Sequence, residues 1–132
     1  MIKSQKGFTL IELVVVIVLL GILGVTAMGK YQDLSADAQD AVNEGVASEL
    51  SSAAAINYAA SVVGAADLAV TGAAFDCTTV GALFSTGGVP TGVAVTGAID
   101  CTAGAGTSGT CSVDGSGTPA GTTATATLLC TQ

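Results

Sequence analysis

The stretch "KGFTLIELVVVIVLLGILGV", residues 6–25, is an apolar run interrupted near its start by one acid, Glu12. Residues 13–29 carry no charge, and counted back to Phe8 the run approaches the ~20 residues that a helix needs to cross a bilayer. A spanning helix is the expectation. Lys3 and Lys6 precede it and a long acidic remainder follows, so the positive-inside bias places the N-terminus in the cytoplasm and residues beyond about Lys30 outside. A removable secretory signal fits less well, because the apolar stretch is long, Glu12 interrupts its start and no A-x-A site follows. A plain anchor explains the length but not the acid, which costs up to ~3 kcal/mol in a spanning segment and marks a functional residue.

The segment "KGFTLIEL" resembles the signature of type IV prepilins: a short basic leader ending in Gly, then Phe, then Glu four residues on, then an unbroken hydrophobic helix. The resemblance covers roughly the first thirty residues. It implies that a membrane prepilin peptidase cuts between Gly7 and Phe8, that the new Phe8 amine is N-methylated, and that the apolar helix is retained. Residues 1–7 are then a leader, and the mature chain keeps one lysine. Gly7, with no side chain, lets the peptide after it enter a narrow cleft in extended form. Cleavage creates an ammonium at Phe8, one helical turn from Glu12 and on the same face. In lipid each lone charge is costly and each is relieved by pairing. The residues allow the pair within one chain or between two offset helices. The resemblance assigns Glu12 to the second arrangement, toward the Phe8 amine of a neighbouring subunit, and recognition by the peptidase is a compatible second role.

Gly21, Gly24 and Gly29 fall within nine residues, and each costs about 1 kcal/mol relative to Ala in a helix. They mark a candidate site of unwinding between residues 21 and 29, where related pilins carry a proline at the position of Gly29; close helix packing through small residues is the other reading. From residue 30 to residue 63 the pattern is amphipathic. Val42, Val46, Leu50, Ala53, Ile56 and Ala60 predict one apolar helical face, and Asp33, Asp37, Asp40 and Glu44 a solvated one. Ser35 is placed to cap a new helical segment if the glycines break the first.

Residues 64–132 form a third zone, rich in Gly, Ala, Ser and Thr. "TGVAVTGAID" and "TTATATLLC" alternate as strands do, "DGSGTPAG" reads as a loop between antiparallel strands, "CTTVGALF" as a short helix and "GAGTSG" as a flexible surface loop. The expected fold class is α+β: a long N-terminal helix, half transmembrane and half amphipathic, packed on a small antiparallel sheet. With Phe75 and Phe84 as the only aromatics of this zone, the core is thin and needs staples. Cys77, Cys101, Cys111 and Cys130 supply two disulfides in one of three connectivities, among which the sequence does not choose. A zinc site lacks the C-x-x-C spacing. The pairing Cys77–Cys111 with Cys101–Cys130 is what the resemblance implies, because minimal pilins with two cysteines carry them at positions matching Cys77 and Cys111.

Composition narrows the function. The net charge is −7, and residues 31–132 hold nine acids and no base, which excludes nucleic-acid binding by phosphate neutralisation. There is no His, no P-loop and no G-x-S-x-G; Asp67, Asp76, Asp100 and Asp114 are scattered among turn residues, and the Asp spacing of the helix is not that of a calcium loop. No enzyme, cofactor or metal site is expected. The chain resembles a type IVa pilin, close to the mannose-sensitive hemagglutinin group. That resemblance implies a precursor in the bacterial inner membrane and then a subunit of an extracellular homopolymeric filament serving adhesion or motility. Its implied partners are copies of itself, the prepilin peptidase, the inner-membrane assembly machinery and minor pilins. A type II secretion pseudopilin and a membrane-anchored binding module that never polymerises are the alternatives.

Overall fold

The computed structural model describes residues 7–66, 68–116 and 121–131. The sequence readings that fall on Lys3, Lys6, Asp67 and the middle of "DGSGTPAG" lie outside these. The chain divides into two units, Met1–Leu34 and Ser35–Gln132.

In the first unit the backbone is irregular at residues 7–9 and becomes helical at Leu10. The helix α1 is assigned as Leu10–Val62, 53 residues. It passes through Gly21, Gly24 and Gly29 without a break. Ser35 therefore lies inside a helix and caps nothing, a correction to the expectation of a restart there. The glycines cost helix propensity, but leucine, isoleucine and valine crowd the positions around them, and an apolar surrounding removes the competing hydrogen bonds of water. Thr26, the one hydroxyl between the glycines, donates to the carbonyls of Leu23 (3.0 Å) and Ile22 (3.3 Å), so its polarity is met inside the helix.

The second unit holds a core. Its strands are β1 (Phe75–Asp76), β2 (Val93–Thr96), β3 (Ala98–Ile99), β4 (Ser108–Gly115) and β5 (Ala124–Leu129), with a 3-10 helix at Cys77–Leu83. β2, β4 and β5 form a three-stranded antiparallel sheet with β4 in the centre, and β1 pairs with β3. Alternation does what the sequence suggested: Val93, Val95, Cys111, Val113, Ala126 and Leu128 point inward. The fold is α+β, with part of α1 packed on small antiparallel sheets.

Three details differ from the sequence reading. The run "TGVAVTGAID" is two strands, not one. Gly97 separates them at φ +113°, a conformation that glycine adopts without strain, and its carbonyl accepts the Cys77 N–H at 3.0 Å. "GAGTSG" is a loop only in its first part. Ser108 and Gly109 belong to β4, and the Gly106 N–H donates to the Cys130 carbonyl at 2.9 Å, tying that loop to the end of β5. Asp114 sits in β4 rather than in a turn, where its carboxylate accepts the Thr123 hydroxyl. Gly109 is required by packing: a Cβ there would overlap the Ile99 side chain, coming within 3.0 Å of its Cβ and Cγ1.

The buried stripe of α1 is also rotated from the expected one. It consists of Asn43, Val46, Ala47, Leu50, Ala54 and Asn57, while Val42 and Ile56 are exposed. Two asparagines lie on the core face because each satisfies backbone that has no strand partner. Asn57 donates to the Leu68 carbonyl (2.8 Å) and accepts the Leu68 N–H (3.1 Å). Asn43 donates to the Thr122 carbonyl (2.8 Å) and accepts from Gln39 (3.1 Å). The acidic face is not purely solvated either, since Asp40 accepts the Thr122 N–H. Finally, Ser51 accepts the Thr127 N–H at 3.0 Å and so gives a partner to one backbone group of the edge strand β5.

Candidate functional site

The residues singled out by sequence divide between the units. Gly7, Phe8, Glu12, Gly21, Gly24 and Gly29 belong to the first; the four cysteines belong to the second.

In the first unit every described residue from 7 to 34 is exposed. Phe8 is 87 % exposed, and the run from Leu13 to Leu23 shows its large apolar side chains to the outside all round the helix. A helix apolar on every side and exposed throughout its described residues requires a covering, lipid or protein. Its length and composition suffice to cross a bilayer. Gly7 and Phe8 precede the first helical turn, so the peptide between them is exposed and outside the hydrogen-bonded helix, as a protease requires of its substrate.

Glu12 has a local function that the sequence reading missed. Thr9 and Glu12 form a capping box at the start of α1: the Thr9 hydroxyl accepts the Glu12 N–H (3.4 Å), and the Glu12 carboxylate accepts from the Thr9 N–H (3.5 Å) and hydroxyl (3.3 Å). The signal was present as T-x-x-E immediately before the apolar run. The box turns the carboxylate back toward the end of the helix, near the peptide that leads to Phe8. An acid in the first helical turn also lies at the positive end of the helix dipole. A carboxylate so held is set to receive a cation at the N-terminal end of this helix or of another.

Lys30 closes the apolar run. Its ammonium lies 3.8 Å from Asp33, and both side chains are open to solvent.

In the second unit Cys77 is bonded to Cys111 and Cys101 to Cys130. The first bridge joins the 3-10 helix to the central strand, and the second joins the segment after β3 to the end of β5. All four residues are buried in the core. Each of the two bridges begins in an Asp-Cys-Thr triplet that the sequence reading passed over. Asp76 accepts the Thr78 N–H and Asp100 the Thr102 N–H, each at 2.9 Å. These backbone bonds hold both carboxyls below the usual carboxylate range. The triplets fix the turn at each cysteine; they converge on no cleft.

Comparison with known proteins bears on the first unit. A family model described as the prokaryotic N-terminal methylation motif matches residues 2–28. The N-terminal segment is similar to that of fimbrial proteins and type IV pilins. A fimbrial protein of Pseudomonas aeruginosa is 54 % identical to this chain over 37 residues, which are 28 % of this chain and 24 % of that protein. A fimbrial protein of Moraxella nonliquefaciens is 57 % identical over 37 residues, with the same shares. A type IV major pilin protein of Neisseria gonorrhoeae is 60 % identical over 35 residues, 26 % of this chain and 21 % of that protein. The match thus spans about a quarter of the length of these relatives. No solved structure matches the chain. The N-terminal segment therefore carries the likeness, and the disulfide-bonded unit stands on its own geometry.

Proposed function

We propose that this chain is a structural subunit of a type IV pilus and not an enzyme. The precursor sits in the bacterial inner membrane with its N-terminus in the cytoplasm. The prepilin peptidase cuts between Gly7 and Phe8, and the Phe8 amine is N-methylated. The inner-membrane assembly machinery then moves the apolar helix from lipid into a filament of like helices, with minor pilins as further partners. The disulfide-bonded unit faces the medium, and the filament serves adhesion or motility.

The observation that carries this reading is the N-terminal segment itself: a methylation-motif match over residues that include Gly7, Phe8 and Glu12, on a helix whose apolar side chains are exposed on every side. The transfer from lipid to filament changes hydrophobic burial little, since both surroundings are apolar, so specific polar contacts must set the register. Glu12 against the Phe8 amine of a neighbour is that contact. Gly21, Gly24 and Gly29 are where the helix yields if assembly stretches it.

The test is Glu12→Ala in the native host. Filaments sheared from cells of the unaltered strain are expected to yield a chain beginning at methylated Phe8. The variant is expected to accumulate in the membrane, processed but unassembled. Normal filaments from Glu12→Ala would refute the assembly role.

A further inference from the structure

We infer that Gln39, Asp40 and Asn43 form a polar latch that opens by itself: α1 lifts off Thr122 while its apolar contacts from Val46 onward stay closed. The device lies within the second unit and works whether or not the chain polymerises.

The latch closes on one residue. Asp40 and Asn43, three positions apart, lie on the same side of α1. Asp40 accepts the Thr122 N–H, and Asn43 donates to the Thr122 carbonyl at 2.8 Å. Thr122 precedes β5 and lies outside its ladder, so helix side chains hold both of its backbone groups. Gln39 donates to the Asn43 side-chain oxygen at 3.1 Å and so fixes the orientation of that amide. Two glycines make room for Gln39. A Cβ on Gly115 would come within 2.7 Å of Gln39 Cγ, and a Cβ on Gly121 within 3.0 Å.

Chemistry separates the latch from the core. Among the described residues the apolar core begins on α1 at Val46, beyond Asn43, and continues through Ala47, Leu50 and Ala54. Opening the latch therefore uncovers no member of that core. It breaks polar contacts, which water replaces at small net cost, whereas lifting Leu50 or Ala54 exposes apolar surface with no such compensation. Gln39 and Asp40 are half-buried and Thr122 is exposed, so water has access to the bonds. The fastening further along α1 differs. Ser51 accepts the Thr127 N–H at 3.0 Å where the flanking residues Leu50, Ala126 and Leu128 are fully buried. A bend or pull arriving along α1 from residue 35 meets the latch first, and its opening relieves the helix before the core is disturbed.

Hydrogen exchange of the detergent-solubilised full chain tests this, followed by NMR at the Thr122 and Thr127 amides in denaturant too dilute to unfold the protein. Thr122 is expected to be protected and to exchange through an opening nearly independent of denaturant, because little surface is uncovered. Thr127 is expected to exchange more slowly and to quicken as denaturant rises. Gln39 bonds to neither amide, yet Gln39→Ala is expected to speed exchange at Thr122 about threefold to tenfold, the equivalent of one hydrogen bond. Asn57→Ala, at the far end of the buried stripe, is expected to speed Thr127 about fivefold or more and to leave Thr122 unchanged, since the core contacts stay closed when the latch opens. If Asn57→Ala does not fold, the denaturant dependence of the unaltered chain still decides. Three results overturn the latch: a Thr122 amide that follows Thr127 in denaturant or in Asn57→Ala, no change at Thr122 in Gln39→Ala, or an unprotected Thr122 in the unaltered chain.

Discussion

At the scale of single residues, the chain uses small polar side chains to settle backbone that has no regular partner. Asp76 and Asp100 do this at the two cysteine turns, each accepting a threonine N–H two residues on. Their folded pKa values lie below the unfolded value of about 3.9, so the stabilisation is fully present above that pH. It is lost as pH falls through the folded values. Denaturant titrations of the detergent-solubilised protein are expected to show a midpoint that declines below about pH 4. A double variant, Asp76→Asn with Asp100→Asn, keeps the turn acceptor but cannot protonate, and is expected to show a smaller decline. An equal decline in both proteins would place the acid sensitivity elsewhere.

Among elements, the half of α1 beyond residue 35 is held to its sheets by an apolar stripe with an asparagine at each end. Asn57 is 4 % exposed and makes two backbone bonds to Leu68. Asn57→Ala leaves both Leu68 groups without their partner and is expected to cost about 1–3 kcal/mol, read as a lower denaturation midpoint at unchanged slope. Ile56, its exposed neighbour, is the control: Ile56→Ala is expected to shift the midpoint by less than about 0.5 kcal/mol. The helical period was legible in the sequence, but its phase was not. Residue type favoured Val42 and Ile56 for the core; the unpaired backbone at Leu68 and Thr122 drew Asn57 and Asn43 there instead, and those partners are remote in sequence.

For the molecule as a whole, the two units face opposite problems. The described residues 7–34 are exposed throughout and depend on their surroundings. The unit from residue 35 onward folds on a core built mainly of valine, alanine and cystine. The bridges span sequence separations of 34 and 29, for which chain entropy gives about 3–4 kcal/mol each. Replacing Cys101 and Cys130 together by serine is expected to lower stability by about that amount, measured as the denaturant midpoint of the solubilised chain. An unchanged midpoint would show that the core suffices without that bridge.

Local patterns determined a good part of this protein. Seventeen uncharged residues after Glu12 dictate a helix suited to an apolar surrounding, because its backbone bonds close internally and its side chains are costly to hydrate. The Gly7, Phe8, Glu12 signature and the strand alternation of residues 124–129 are likewise local. The Thr9 and Glu12 capping box, missed in the sequence reading, is local too, since both partners lie within one turn. What tertiary structure decided are the contacts between distant residues: which cysteines join, which side of α1 turns inward, and where Gly97 divides a run of alternating residues into two strands. These depend on the balance of burial against unpaired backbone summed over the whole unit, which no local pattern contains.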